Sequence, residues 1–253
     1  MTSAATLSDD RQNLGSGVAR REAGAGQTYP VAMARSHFTL AALATSAVAD
    51  LDAVGAAPFG SAGGDFDSAV VTGRDGRLWI VRVPRSERAE QEQSADLVAL
   101  AALSQGVRAR LPFEVTAFAG QTPVAGTRAV VSEFVHGTPA TLATIDHELA
   151  ASIGAAIAAV HALPTSLVTD AGLPVHGAAD AHRAATGLIE RAVATGLVPA
   201  ALVTRWEQAD DDEGLWQFGP VVVNGALTAG SFLAGAAQVT GGLRWQGLRG
   251  GDP

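Results

Sequence analysis

A change of hydrophobic period about halfway along the chain constrains its fold more than any other feature. Before residue 136 the apolar residues fall mainly in short β-type runs. Beyond it they recur at helical spacing and then return to β. Ala69-Val-Val-Thr72 and Leu78-Trp-Ile-Val-Arg-Val83 flank the turn Gly73-Arg-Asp-Gly76, which predicts a hairpin. The preceding stretch, Gly60 to Ser68, is a glycine loop in which Asp65 and Asp67 read as turn formers. Ser86 to Leu103 reads as a helix with apolar positions at Leu97, Leu100, Ala101 and Leu103, and Phe113–Phe118 and Arg128–Val135 as further strands. Hairpin, helix and strands in that order describe a small α+β lobe.

In the second half, Asp146 to Leu163 places Leu149, Ile153, Ile157 and Val160 on one helical face and stops at Pro164. Further helices are expected over His182–Ala194 and Pro199–Asp210. Strands are expected at Pro220–Asn224, Ser231–Ala234 and Val239–Trp245. Residues 1–32 are rich in Ser, Gly, Ala and Arg and lack any apolar period, so they read as a disordered extension. The organisation is thus 1–32 extension, 33–135 β-rich lobe, 136–253 mainly helical lobe. Leu40, Leu43, Ala47 and Leu51 give the first helix one apolar face. Taken from Met33, the same stretch has the outline of a signal peptide, with Arg35, an apolar run and an Ala47-Val-Ala49 site. The residues preceding Met33 would place such a signal inside the chain, so the helix is the preferred reading. Met33 remains an alternative start.

Composition narrows the chemistry. The sequence has no cysteine, which removes disulfides, thiol nucleophiles and thiolate-ligated zinc. All 17 basic residues are arginine, so no step can use a lysine ammonium. A net charge of −8 argues against nucleic acid as a partner. Apolar stretches fall short of the roughly 18 residues of a membrane span, and a cytoplasmic location is expected.

The end of the chain carries most of the functional information. Val221-Val-Val-Asn224-Gly-Ala226-Leu227, Ser231-Phe-Leu233, Leu243-Arg244-Trp245 and Gly251-Asp-Pro253 follow one another at short intervals. Together they resemble the catalytic segment of the aminoglycoside and macrolide phosphotransferases, which have a protein-kinase-like two-lobed α+β fold. In that family an apolar strand enters His-Gly-Asp-Leu, an Asn follows five residues after the Asp, and a hairpin leads to Asp-Trp and Gly-Asp-Pro. Upstream segments agree in order. Gly63-Gly64 resembles the nucleotide-covering loop, and Trp79-Ile-Val-Arg82-Val-Pro84 the strand bearing a phosphate-pairing cation. Ser132-Glu133-Phe-Val135-His-Gly137 resembles the hinge, and Ala155–Pro164 a characteristic lobe helix. The likeness spans about residues 36–253 in five ordered segments.

The resemblance implies ATP or GTP as ligand, with Gly63, Gly64, Arg82, Glu133 and Val135 around it. Glu92, or alternatively Glu90, would be the helix partner of Arg82. It also exposes departures. Ala226 stands where the family orients the attacking hydroxyl with a carboxylate, and Asn224 where it has His. Ser231, a weaker ligand, replaces the metal-binding Asn, and Arg244 replaces the metal-bridging Asp. The expectation is therefore a pseudokinase with no intact catalytic position and no resident magnesium, still able to hold a nucleotide and with a doubtful small-molecule acceptor. Arg244 reads as a solvent-facing side chain, with direct phosphate binding as the alternative. Two rival readings stand beside this one: an active antibiotic phosphotransferase using substitute residues, with Asp252 the only carboxylate near the motif loops, and a non-enzymatic interaction module. His161 is expected to pack or cap its helix end, and Asp210–Glu213 to be a solvated acidic run. The chain stops where the family's further helices begin, as a fragment or a truncated lobe. Leu243 and Trp245 are thus expected to be partly uncovered and to invite a protein partner.

Overall fold

In the computed structural model, which describes residues 34–60 and 64–253, Ser36 opens the first helix by accepting the Thr39 amide at 3.1 Å. The expected extension 1–32, Met33 and Gly63 lie outside the described residues. Helix α1 (His37–Ala47) buries Leu40 and Ala44, with Leu43 and Ala47 partly buried beside them. It lies on a five-stranded antiparallel sheet made of β1 (Ala53–Pro58), β2 (Phe66–Gly73), β3 (Leu78–Pro84), β5 (Phe118–Val124) and β6 (Thr127–Glu133), in the order β1-β2-β3-β6-β5. Burial alternates along β2 and β3. Ala69, Val71, Trp79, Val81 and Val83 therefore point toward α1, while Phe66, Ser68, Ile80 and Arg82 fall on the opposite face.

The hairpin β2–β3 matches its sequence pattern, although β2 begins at Phe66 within the expected glycine loop. Asp67 is not a turn former. It is buried and ion-paired with Arg35 at 3.0 Å, with Arg85 at 3.8 Å, and so ties the entry of α1 to the exit of β3. At the far edge, α1 presses on β5. A Cβ added to Gly120 would lie 2.1 Å from the Ala47 carbonyl oxygen, so only glycine fits.

Helix α2 (Glu87–Ala102), capped by Ser86, begins as expected but buries Ala89, Gln93, Ala99 and Leu100, leaving Ala101 exposed. A short turn of helix, α3 (Gln105–Arg108), follows. The expected strand Phe113–Phe118 is replaced by a two-residue strand, β4 (Glu114–Val115), which pairs with a strand from the end of the chain. The remaining elements are β7 (Thr138–Pro139), α4 (His147–His161), α5 (Ser166–Asp170), α6 (Ala178–Ala194), α7 (Ala200–Asp210), β8 (Val221–Asn224), β9 (Phe232–Gly235), β10 (Gln238–Gly242) and β11 (Leu248–Gly251). Strands β4-β10-β9-β7 form one small sheet and β11-β8 another.

Two hydrophobic cores result. The first unites α1 with the five-stranded sheet. The second gathers Leu149, Ala156 and Val160 of α4, Val222, Phe232, Val239 and Trp245, and also Ala99–Val115 residues that precede the hinge. The end of α2 and strand β4 thus root in the second core, across the boundary that the change of period suggests. Trp245 is 3% exposed, stacked on Phe113 with ring centroids 6.3 Å apart. The expected uncovered tryptophan is therefore corrected, because Phe113 beside β4 covers it; Leu243 remains half-buried. The acidic run is not simply solvated either. Asp210 accepts from Thr186 at 2.8 Å and lies 3.2 Å from His182, linking α7 to α6.

Candidate functional site

Arg82 projects from β3 on the face away from α1, and its guanidinium lies 4.1 Å above the Phe66 ring. Burial depresses its pKa. The nearby carboxylate of Asp96 acts most strongly against this, the Arg244 guanidinium adds to the depression, and Glu92 contributes a weaker upward effect. Glu92 itself is hydrogen-bonded to Arg88 one turn earlier on α2, at 3.0 Å. The dominant carboxylate facing Arg82 is therefore Asp96, one turn beyond the sequence expectation. Among the described residues Glu90 forms no side-chain hydrogen bond with Arg82; its carbonyl accepts from the Ser94 hydroxyl at 2.8 Å.

Asp96 was missed because the search ran toward glutamates, yet the periodicity marks it. Ala89, Gln93, Asp96 and Leu100 form one stripe of α2, and two polar residues in such a stripe call for partners. Gln93 donates to the Arg82 carbonyl at 3.3 Å, and Asp96 accepts the Trp245 amide at 2.6 Å. Burial raises the Asp96 carboxyl above its ordinary value, while that amide, Arg82 and Arg244 pull it back. Gln93 thus ties α2 to β3, and Asp96 ties it to the loop after β10.

The loop after β8 is held by Asn224. Its amide donates to the Arg244 carbonyl at 2.9 Å, and its oxygen accepts the Ala226 amide at 3.2 Å. The Gly225 amide donates to Gly247 at 2.9 Å. Asn224 is accordingly a brace between the two loops. Arg244 occupies a left-handed backbone conformation (φ 62°), and its side chain is exposed. The Ala226 methyl is half-buried against Gly247.

Ser231 is 1% exposed, and its hydroxyl accepts the Thr228 amide at 3.0 Å, closing the short turn Ala229–Ser231. Ser231, expected as a weaker metal ligand, thus commits one lone pair of its hydroxyl to its own loop. Arg249 on β11, which sequence reasoning did not single out, lays its guanidinium over Gly225 where a Cβ would stand. A cavity of about 240 Å³ lies beside this loop, lined by Ile157, His161, Asn224, Ser231, Arg249 and Asp252 among others. Asp252 is thus near the motif loop, but it is not the only such carboxylate, since Asp96 reaches Trp245.

Of the hinge residues, Val135 is 8% exposed and packs beneath Gly241 of β10. Glu133 turns outward to an ion pair with Arg77, which itself stacks 4.4 Å from the Trp79 ring centre. The Glu133 carbonyl accepts from the Thr116 hydroxyl at 3.0 Å, and the Phe134 amide donates to Leu78. Phe134 contacts Phe59 and His136 edge to face, at 6.3 and 5.0 Å. Phe59 directly follows β1, so these rings set the hinge against the end of that strand. Among the described residues, no three His, Cys, Asp or Glu side chains gather as a metal site. No described helix is long and apolar enough to cross a membrane.

Residues 57–253 match the phosphotransferase enzyme family. The chain belongs to that family. The solved structure of the macrolide 2'-phosphotransferase MphH from Brachybacterium faecium, an apoenzyme, is similar to this phosphotransferase-family chain. Identity is 24%, the TM-score is 0.68, and the match covers 86% of this chain and 74% of that one. A macrolide 2'-phosphotransferase type I is 27% identical with a TM-score of 0.64, over 89% and 76% of the two chains. The GDP complex of aminoglycoside 2'-phosphotransferase-IIIa is 17% identical with a TM-score of 0.65, over 87% and 75%. A search of the curated proteins finds no match. The kinase-like α+β architecture expected from the motif order is the one observed.

Proposed function

We propose that this phosphotransferase-family protein binds ATP or GTP in its cleft without a divalent ion and does not transfer the γ-phosphate. The carrying observation is the pair of residues at the family's carboxylate positions, Ala226 and Arg244. Magnesium requires oxygen ligands in near-octahedral array. A methyl group, a hydroxyl bound into its own turn and a guanidinium do not supply them, so the residues present do not fit the ion. The incoming alcohol likewise finds no carboxylate at Ala226 to accept its proton or hold it in line.

What remains is suited to a polyphosphate. Arg82 is desolvated, with its charge opposed by Asp96 rather than neutralised in a close ion pair among the described residues. Arg244 is exposed and near enough to influence both. Two guanidinium groups can bind phosphate oxygens directly, as forked donors of fixed charge. The family relatives solved with GDP or ADP support a nucleotide as the ligand. The test is transfer of γ-phosphate from ATP and GTP to macrolides and aminoglycosides with magnesium or manganese. No turnover above background is expected; a rate of ~1 s⁻¹ or more would contradict the proposal.

A second reading is favoured by one observation, that Asp252 borders the same cavity as Asn224 and Ser231. It makes the protein an active antibiotic phosphotransferase with Asp252 as its carboxylate. Transfer that is present in the natural chain and lost in Asp252→Ala would establish it.

A further inference from the structure

Between α2 and the edge strand β5 lies a second cavity of about 610 Å³, lined by Ser94, Leu97, Leu100, Arg108, Phe118 and Arg128 among others. Its size falls in the range of small-ligand pockets, ~300–1,000 Å³. None of these residues belongs to the nucleotide cleft described above.

The two arginines are what mark it. Arg128 donates one terminal nitrogen to the Ser94 hydroxyl, and Arg108 donates one to the Leu100 carbonyl at 3.4 Å, at the end of α2. Each guanidinium has a buried Nε with no hydrogen-bond partner among the described residues. Burial depresses the Arg108 pKa, and the charge acting against this, Glu133, lies outside the cavity in a pair with Arg77. Among the described residues lining the cavity there is no carboxylate at all. Helix capping accounts for one donor of Arg108 and leaves the rest unexplained. Two guanidinium groups with buried, unpartnered Nε atoms and no carboxylate in the cavity wall make an anion site.

The walls define the rest of the ligand. Leu97 and Leu100 of α2 form one side, and Val98 and Phe118, 47% and 45% exposed, leave apolar surface at the rim. We infer that this cavity binds a small amphipathic carboxylate, its head group shared between Arg108 and Arg128 and its apolar body laid along Leu97, Val98 and Phe118. Ser94 and Asp96 lie on one helix, so the site adjoins the element that holds Trp245 from the cleft side. The inference stands independently of whether the cleft binds nucleotide.

The experiment is isothermal titration of the full chain with octanoate and with 1-octanol, which has the same chain length and no charge. Octanoate is expected to bind about tenfold or more tightly than the alcohol. Arg128→Gln and Arg108→Gln should each remove most of that preference while leaving the alcohol unchanged, and Phe118→Ala on the exposed rim should weaken both ligands. Equal binding of acid and alcohol, or no octanoate binding up to its solubility limit, overturns the inference. The comparison of the two ligands on the natural chain decides it even if an arginine variant fails to fold.

Discussion

The sheet that presents Arg82 and the loop that presents Ala226 both belong to the proposed nucleotide cleft, yet they answer the demands of phosphoryl transfer differently. On the sheet, Arg82 stands where the proposed function needs a phosphate-pairing cation, its backbone braced through Gln93 and its charge faced by the half-buried Asp96. On the loop the backbone is equally well braced, by Asn224 and by the Gly225–Gly247 bond, but the reactive positions carry a methyl and a guanidinium. Positioning and chemistry are therefore separable in this fold. A loop can keep its path through backbone hydrogen bonds while the side chains that would aim an alcohol or hold an ion are absent.

The largest expected effect restores the loop to match the sheet. Ala226→Asp combined with Arg244→Asp should raise γ-phosphate transfer at least ~10²-fold over the natural chain, the scale of a positioned base, while either substitution alone stays at background. Activity from one substitution alone would break the comparison. Next, Arg82→Met removes the sheet's contribution. Nucleotide affinity measured calorimetrically should fall about 10- to 100-fold, the worth of one or two charge-assisted hydrogen bonds.

Asp96 joins the two regions, and its variants separate its two roles. Asp96→Ala leaves the Trp245 amide without its acceptor and should lower unfolding stability by ~1–3 kcal/mol in urea titrations. Asp96→Asn keeps an acceptor and should cost much less. The pH dependence gives the sign. Burial raises this carboxyl in the folded state, so its favourable contribution is complete below the ordinary aspartate value, ~3.9, and is lost as pH rises through the higher folded value. The cost of Asp96→Asn relative to the natural chain should therefore be greatest at low pH and shrink as pH rises above ~3.9 through the higher folded value. The smallest effect is expected at Glu92. Glu92→Gln, which breaks the surface pair with Arg88 and removes only a weak effect on Arg82, should leave nucleotide affinity and melting temperature nearly unchanged.

How much of this was legible in the sequence depended on where burial was one-sided. The β2–β3 hairpin and α4 announce themselves because alternate or helically spaced positions are apolar. Strands β1 and β5 did not, since both lie at edges of the sheet and carry Gly, Ala and Pro residues such as Pro58 and Pro123, which an edge tolerates. The hairpin β9–β10 was legible from its two apolar runs, even though it turns through Ala236 and Ala237, both with positive φ, in place of the usual glycine or asparagine. In the candidate site, motif order singles out Arg82, Asn224, Ala226 and Arg244, and the roles proposed for them rest on that order. The roles of Asp96, Ser231 and Arg249 depend on contacts distant in the chain or on side-chain direction, which spacing does not encode.

The most direct measurement is the calorimetric affinity of the full chain for ATP and GTP, taken once with excess magnesium and once in a chelator. The arginine-lined cleft predicts measurable binding in the chelator and a dissociation constant that magnesium changes by no more than about twofold. Nucleotide that binds only when magnesium is present would contradict the account, because these side chains would then be holding an ion they are unsuited to hold.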